Sequence, residues 1–157
     1  YGVSVEGSSI GLSLTRTPVF PDPSTDLEET VFTYSIYPHM GDWKEAGVLR
    51  RAYELNVPLR AIKGRKGSKS FLKIGSDNLM LEAVKTPEDG DGVVLRLYEF
   101  YNERGKTRIN LAIKAKSVES VDLLESNSVN RDLKSDRNGL EFTYCNREII
   151  TLKIRGH

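Results

Sequence analysis

The stretch Leu140–Ile154, LEFTYCNREIITLKI, decides the fold. Ile150, Leu152 and Ile154 alternate with Thr151 and Lys153, the two-residue period of a strand with one face inside. Leu140–Tyr144 is a second short strand-like run, set off from Glu148–Ile154 by a turn. Working outward, the same reading gives Phe71–Ile74, Leu79–Val84, Gly92–Phe100, Thr107–Lys116 and Val118–Leu124 as further strands. Ile109, Leu111 and Ile113 repeat the alternation. Asp89-Gly90, Asp91-Gly92 and Asn138-Gly139 are dipeptides that supply positive φ in tight hairpins. Seven short strands punctuated by turns predict a small immunoglobulin-like antiparallel β-sandwich. The Cys–Trp–Cys signature of true immunoglobulin domains is absent, so the expectation concerns architecture alone.

Upstream lies Lys63–Lys69, KGRKGSK, a basic, glycine-rich run without apolar pattern, which predicts a boundary between residues 1–63 and 64–157. Before it, Ile10, Leu12 and Leu14 read as a strand, and Pro18, Pro21 and Pro23 preclude regular structure. Phe32, Tyr34 and Ile36 predict a second strand, stopped at Pro38. Asp42, with Glu45 three residues on, has the layout of a capping box. Trp43, Ala46, Leu49, Arg50 and Tyr53 then share one face of a short helix near 42–55. Gly47 weakens that helix by up to about 1 kcal/mol relative to Ala. Asn56 and Pro58 end it.

Bulk properties narrow the function classes. The 157 residues are 38% hydrophobic and 29% charged, a globular composition. Lys+Arg 23 against Asp+Glu 22 leaves a net charge of +1, so no global field attracts nucleic acid. Local basic residues exist (Lys63, Arg65, Lys66 and Lys69, then Arg104, Lys106 and Arg108), but no aromatic residue interleaves the linker as single-strand binding requires. No apolar run is long enough to span a bilayer, and no signal-peptide layout opens the chain. A single Cys145 forms no internal disulfide and favours a reducing compartment, so a cytoplasmic location is expected. Tyr1 opens directly in strand-like sequence, as expected for a piece of a longer polypeptide.

A self-sufficient active site is not legible. A catalytic zinc centre needs several converging ligands, and the chain offers His39 and His157 without an HExxH pair or paired cysteines. His39 reads either as a ligand or sugar hydrogen-bonder, or as a structural or exposed residue. No nucleophile elbow appears, and Cys145 reads as a small buried hydrophobe. GRKGSK lacks Walker spacing. Glu88, Asp89 and Asp91 in PEDGDG lack the spacing of a calcium loop and read as a hairpin turn. The aromatic group of Tyr34, Tyr37, Trp43 and Tyr53, with His39 and Asp42, either stacks on a sugar or fills a core.

Ordered motifs then carry a resemblance. Leu12-Ser13-Leu14-Thr15-Arg16-Thr17-Pro18, Pro21-Asp22, Asp26 and Phe32-Thr33-Tyr34 resemble the C-terminal part of glycoside hydrolase family 38 α-mannosidases. Tyr37-Pro38-His39, Gly41-Asp42-Trp43, Ala52-Tyr53-Glu54-Leu55-Asn56 and Pro58-Leu59 follow that pattern in order. Leu81–Lys85, Gly92–Glu99 and Thr151–Lys153 extend it downstream. The resemblance implies a mostly β region: residues 1–63 as the end of a large, mutarotase-like β-sandwich, and 64–157 as the small terminal sandwich. It also implies a retaining glycosidase with a carboxylate nucleophile, a carboxyl acid/base and a divalent metal, usually zinc. Those groups would lie upstream of Tyr1, in an α/β catalytic domain of the same polypeptide. No catalytic residue, metal ligand or cofactor is therefore assigned here. The expected contacts, to sugar or to a neighbouring domain, are Asp26, Tyr37, His39, Asp42 and Trp43, with mannose-containing glycans as ligands and neither nucleic acid nor membrane as partner. The sequence departs from the pattern at Glu28 and Thr30, where the family commonly has a Gly and a His. The alternative is a free-standing carbohydrate-binding or protein-interaction sandwich.

Overall fold

The computed structural model describes residues 2–16, 18–24, 27–64 and 67–156. The chain divides into two units, Tyr1–Ala61 and Ile62–His157.

In the second unit, two four-stranded antiparallel sheets enclose one core. The first has the order β4 (Leu79–Lys85), β5 (Val93–Glu99), β10 (Ile149–Gly156), β7 (Ala115–Val121). The second has the order β3 (Leu72–Ile74), β6 (Gly105–Leu111), β9 (Gly139–Tyr144), β8 (Leu133–Asp136). Leu95, Leu97, Ile150, Leu152 and Ile154 point in from the first sheet, and Ile109, Leu140 and Phe142 from the second; all are fully buried. β10 sits between two neighbours, with Leu152 opposite both Leu95 and Ser120. Its alternate residues Thr151 and Lys153 are also buried, on the outer face. The alternation seen in Ile150/Leu152/Ile154 thus sorts an apolar core from a covered polar layer.

Among the described residues the sandwich has eight strands where seven were expected. β8, Leu133–Asp136 (LKSD), is a polar edge strand with no fully buried residue, so it gives no hydrophobic period to read. The expected run Thr107–Lys116 holds more than one element. β6 ends at Leu111, and residues 112–114 cross to the other sheet, where β7 begins at Ala115. Ile113 keeps the apolar rhythm across that crossing because it packs against the same core. At the turns, Gly90 (φ 77°) and Gly92 (φ 106°) have the expected positive φ, but Gly139 does not. A Cβ on Gly139 would run into the Ile109 carbonyl oxygen, so close approach of backbones requires glycine there. Non-glycine Asn102, Glu125 and Arg147 carry positive φ instead.

Among its described residues the first unit has strands but no core. β1 (Gly2–Glu6) and β2 (Ser9–Ser13) form a two-stranded hairpin, with Val3 opposite Leu12 and Val5 opposite Ile10 on one face. Among its described residues none is buried. The strand expected at Phe32–Ile36 does not form. Tyr34 and Ile36 do share a face, and with Ile10, Leu12 and Leu14 they line a depression of about 440 Å³. The segment has no hydrogen-bonded partner strand among the described residues, and alternation without a ladder is not a strand. The helix is shorter than expected: α1 spans Val48–Asn56, and residues 43–47 form turns. The Asp42 carboxylate accepts from the Lys44 and Glu45 amides, both at 2.8 Å, and the Asp42 amide donates to Glu45 at 3.3 Å. The capping box therefore forms, but on a turn. Gly47, at φ 64°, interrupts the rise, and α1 starts after it without a side-chain cap.

Leu152→Ala should destabilise the sandwich by about 2–5 kcal/mol, because it opens a cavity in a closed core. Leu12→Ala, on the exposed hairpin, should change stability by less than about 0.5 kcal/mol. Urea unfolding of the 157-residue chain, read on the sandwich transition, checks both.

Candidate functional site

The expected contact residues gather on one segment. Tyr37 and His39 follow the irregular stretch, with ring centroids 5.8 Å apart, and the Tyr37 hydroxyl donates to the Ala46 carbonyl at 3.2 Å. His39 Nδ1 lies 3.4 Å from the Met40 carbonyl oxygen. Trp43 is 45% exposed, with the Lys44 ammonium 5.7 Å from its ring centroid. Asp42 spends its carboxylate on the turn described above. Asp26 lies outside the described residues. The aromatics fill no core within this unit, since Tyr34, Tyr37 and Trp43 are all exposed. Nor do Tyr37, His39 and Trp43 line the depression described above, which is walled by aliphatic residues, Tyr34 and Ser35.

In the sandwich the sequestered charges are structural. The Glu99 carboxylate, on a residue 3% exposed, accepts from the Asn78 amide (3.1 Å) and from the backbone N–H groups of Tyr101 and Arg147 (both 2.8 Å). Asn78 in turn accepts from the Tyr144 hydroxyl at 2.7 Å. Burial is the largest influence on Glu99 and works to raise its pKa. The N–H groups of Arg147, Tyr101 and Glu103, with the Asn78 amide, outweigh it and hold the carboxyl below the ordinary glutamate value. Arg131 is equally committed. It donates to the Ser120 hydroxyl on β7 (3.1 Å), the Thr143 carbonyl on β9 (2.8 Å) and Glu148 (2.6 Å), and its guanidinium lies 5.8 Å from the Phe142 ring centre. Cys145, expected to be buried, is exposed just after β9, and its amide donates to Glu148 at 2.7 Å. Its neighbours Phe142 and Tyr144 complete the inward set, so the apolar period ends one residue short of it.

The outer face of the first sheet carries an ion-pair network that the linear sequence does not reveal. Lys153, nearly buried, meets Asp89 at 2.5 Å; Arg155 reaches Asp89 (3.1 Å) and Asp91 (3.2 Å). The Lys153 ammonium first, then the Asp91 amide and Arg155, hold Asp89 down to a pKa of about 2. PEDGDG is thus a hairpin turn whose carboxylates fold back over their own sheet. Among the described residues no three His, Cys, Asp or Glu side chains group so as to hold a metal ion. No helix in the described residues is long and apolar enough to cross a membrane.

Comparison with known proteins supplies the missing context. Residues 78–152 match the family described as the glycosyl hydrolases family 38 C-terminal beta sandwich domain. The chain is 34% identical to human alpha-mannosidase 2C1 over 98% of its own length and 16% of that protein. Dictyostelium discoideum alpha-mannosidase G is 33% identical over 86% of the chain and 13% of its own length. A Saccharomyces cerevisiae alpha-mannosidase is 28% identical over 80% of the chain and 13% of its own length. The chain therefore spans less than a fifth of these relatives. No solved structure gives a significant match.

Glu99→Gln should cost about 1–3 kcal/mol near neutral pH, since an amide cannot accept from donors on both sides. Because the folded carboxyl sits below its ordinary value, its stabilisation is present above that value and is lost as pH falls through the folded one. The variant should show a shallower acid limb in stability measured from pH 7 down to pH 3. An unchanged limb would remove Glu99 from the account.

Proposed function

We propose that this chain, a member of glycosyl hydrolase family 38, is the C-terminal non-catalytic β region of a retaining, metal-dependent α-mannosidase. The observation that carries the reading is the pairing of two facts. Similarity to α-mannosidases runs along nearly the whole chain, yet the carboxylates it buries are spent on its own loops. The chemistry then belongs to an upstream catalytic domain, where a divalent metal would also be held, and this region supports that domain.

Within this reading, residues 1–63 are the closing piece of a larger β-sandwich and residues 64–157 the terminal small one. A hairpin with one apolar face and no buried residue among those described is marginal alone. Val3, Val5, Ile10 and Leu12 would be covered by strands contributed from upstream. Tyr37, His39, Asp42 and Trp43 then serve as contacts to that neighbouring layer rather than to sugar, and Asp26 is proposed with them. The exposed lone thiol of Cys145 fits a reducing, cytoplasmic setting. The second reading, a free-standing sugar-binding sandwich, draws on the exposure of Trp43.

The isolated 157 residues should not hydrolyse an aryl α-mannoside with any divalent metal added, while the full-length polypeptide should, releasing the α-anomer first in proton NMR. Turnover by rigorously purified fragment overturns the assignment. Trp43 fluorescence in the fragment should not respond to mannose oligosaccharides, and a saturable response would favour the second reading.

A further inference from the structure

The turn between β8 and β9 carries the chain's single Asn-Gly dipeptide, Asn138-Gly139. Asn-Gly is the most labile setting for an asparagine, because a following residue without Cβ leaves its backbone nitrogen free to reach the asparagine side chain. Gly139 cannot be replaced by a safer residue. It is buried where β9 passes β6, against the Ile109 carbonyl and the Asn110 Cα, and a Cβ would run into that backbone. Asn138 itself is exposed. The packing of the second sheet therefore imposes a reactive pair on a solvated turn.

The same turn restrains the groups that would react. The Gly139 N–H, which would supply the nucleophile, donates to the Asp136 carboxylate. The Asn138 N–H donates to that carboxylate at 2.8 Å, and the Asn138 carbonyl accepts from the Leu111 N–H at 2.8 Å. Rotation about ψ of Asn138, needed to bring the Gly139 nitrogen onto the side chain, would break the Leu111 and Gly139 bonds together. Asp136 is itself fixed. Arg108 on β6 donates to it at 2.6 Å, and Arg108 Nε donates to the Asn110 side chain at 3.1 Å. Arg108 first, then the Asn138 N–H, hold Asp136 below the ordinary aspartate value, so the acceptor stays charged into the acid range.

We propose that Asn138 is a deamidation site that the folded sandwich suppresses, with Asp136 as the clasp on the Gly139 amide. When the turn opens, a base takes the Gly139 amide proton and the nitrogen attacks Asn138 Cγ. The N–Cγ bond forms, the Cγ–Nδ2 bond breaks and ammonia leaves, giving a cyclic imide. Water opens the imide at either carbonyl and leaves aspartate or isoaspartate at 138. Isoaspartate adds one atom to the main chain beside Gly139, where the backbones of β9 and β6 already abut. The modified turn cannot close in register, so opening exposes the chain to a change that refolding does not reverse. The inference stands on the sandwich alone and is independent of the enzymatic assignment.

Incubating the 157-residue chain at mildly alkaline pH, with peptide mapping that resolves isoaspartate from aspartate, reads the rate at Asn138. In the folded chain that rate should be at least about tenfold slower than in guanidinium chloride. Asp136→Ala should raise the folded-state rate about tenfold, as for loss of a hydrogen bond to a charged group. Asp136→Asn, which keeps a neutral acceptor, should raise it less. Asn127, followed by Ser128 and bonded through its side chain to Asp122 at 2.7 Å, is the internal reference and should respond to neither variant. Equal rates at Asn138 in folded and unfolded chain overturn the proposal, as does a folded-state rate indifferent to Asp136. Acceleration shared equally by Asn127 in both variants reports loss of the whole fold and removes Asp136 as the clasp.

Discussion

A buried carboxylate held by an amide side chain and backbone N–H groups ties one end of the sandwich together. Glu99 closes β5, and its oxygens collect backbone N–H groups from the turn that follows β5 and from the turn between β9 and β10. Asn78, just ahead of β4, bridges Glu99 to the Tyr144 hydroxyl at the end of β9. Both sheets thus converge on one acceptor. The turns need it: Asn102 and Arg147 sit at positive φ, and such turns persist when their surroundings over-determine them. Burying an ion unpaired is costly, and here fixed N–H dipoles replace the lost water. The arrangement makes that end of the fold rigid and leaves Glu99 no capacity for acid–base work.

The same division of labour runs through the rest of the sandwich. Arg131 ties β7 to β9 and to Glu148 at one edge, and Lys153 and Arg155 gather Asp89 and Asp91 over the outer face of the first sheet. Carboxylates that a glycosidase could have used are bound to turns and cations of their own domain.

The sandwich was readable from sequence wherever one strand face is apolar. β5, β9 and β10 are written in Leu95/Leu97, Leu140/Phe142 and Ile150/Leu152/Ile154. β8 was not, because LKSD is a polar edge and its place is set by pairing with β9. The helix start was misplaced for a local reason: Asp42 and Glu45 do form their box, but the left-handed backbone at Gly47 diverts the chain before the helix begins. Phe32–Ile36 shows the opposite limit, a correct apolar face with no partner strand to make it a β-strand. Tyr37, His39, Asp42 and Trp43, expected from the sequence as contacts, lie close together on one segment, which their spacing in the chain already implies. The loop at Asp122–Ser128 was not, since Glu125 meets Lys85 and Arg96 from about forty and thirty residues away, a pairing only the folded sheet creates.

The second unit has a closed core and the first has no buried residue among those described, and we propose that polypeptide outside this chain completes the first. Native-state hydrogen exchange of the 157-residue chain at neutral pH tests it directly, amide by amide. Amides of β5, β9 and β10 should exchange only through global unfolding, and those of β1, β2 and α1 at close to unprotected rates. Protection of the β1–β2 hairpin equal to that of β10 would contradict the claim.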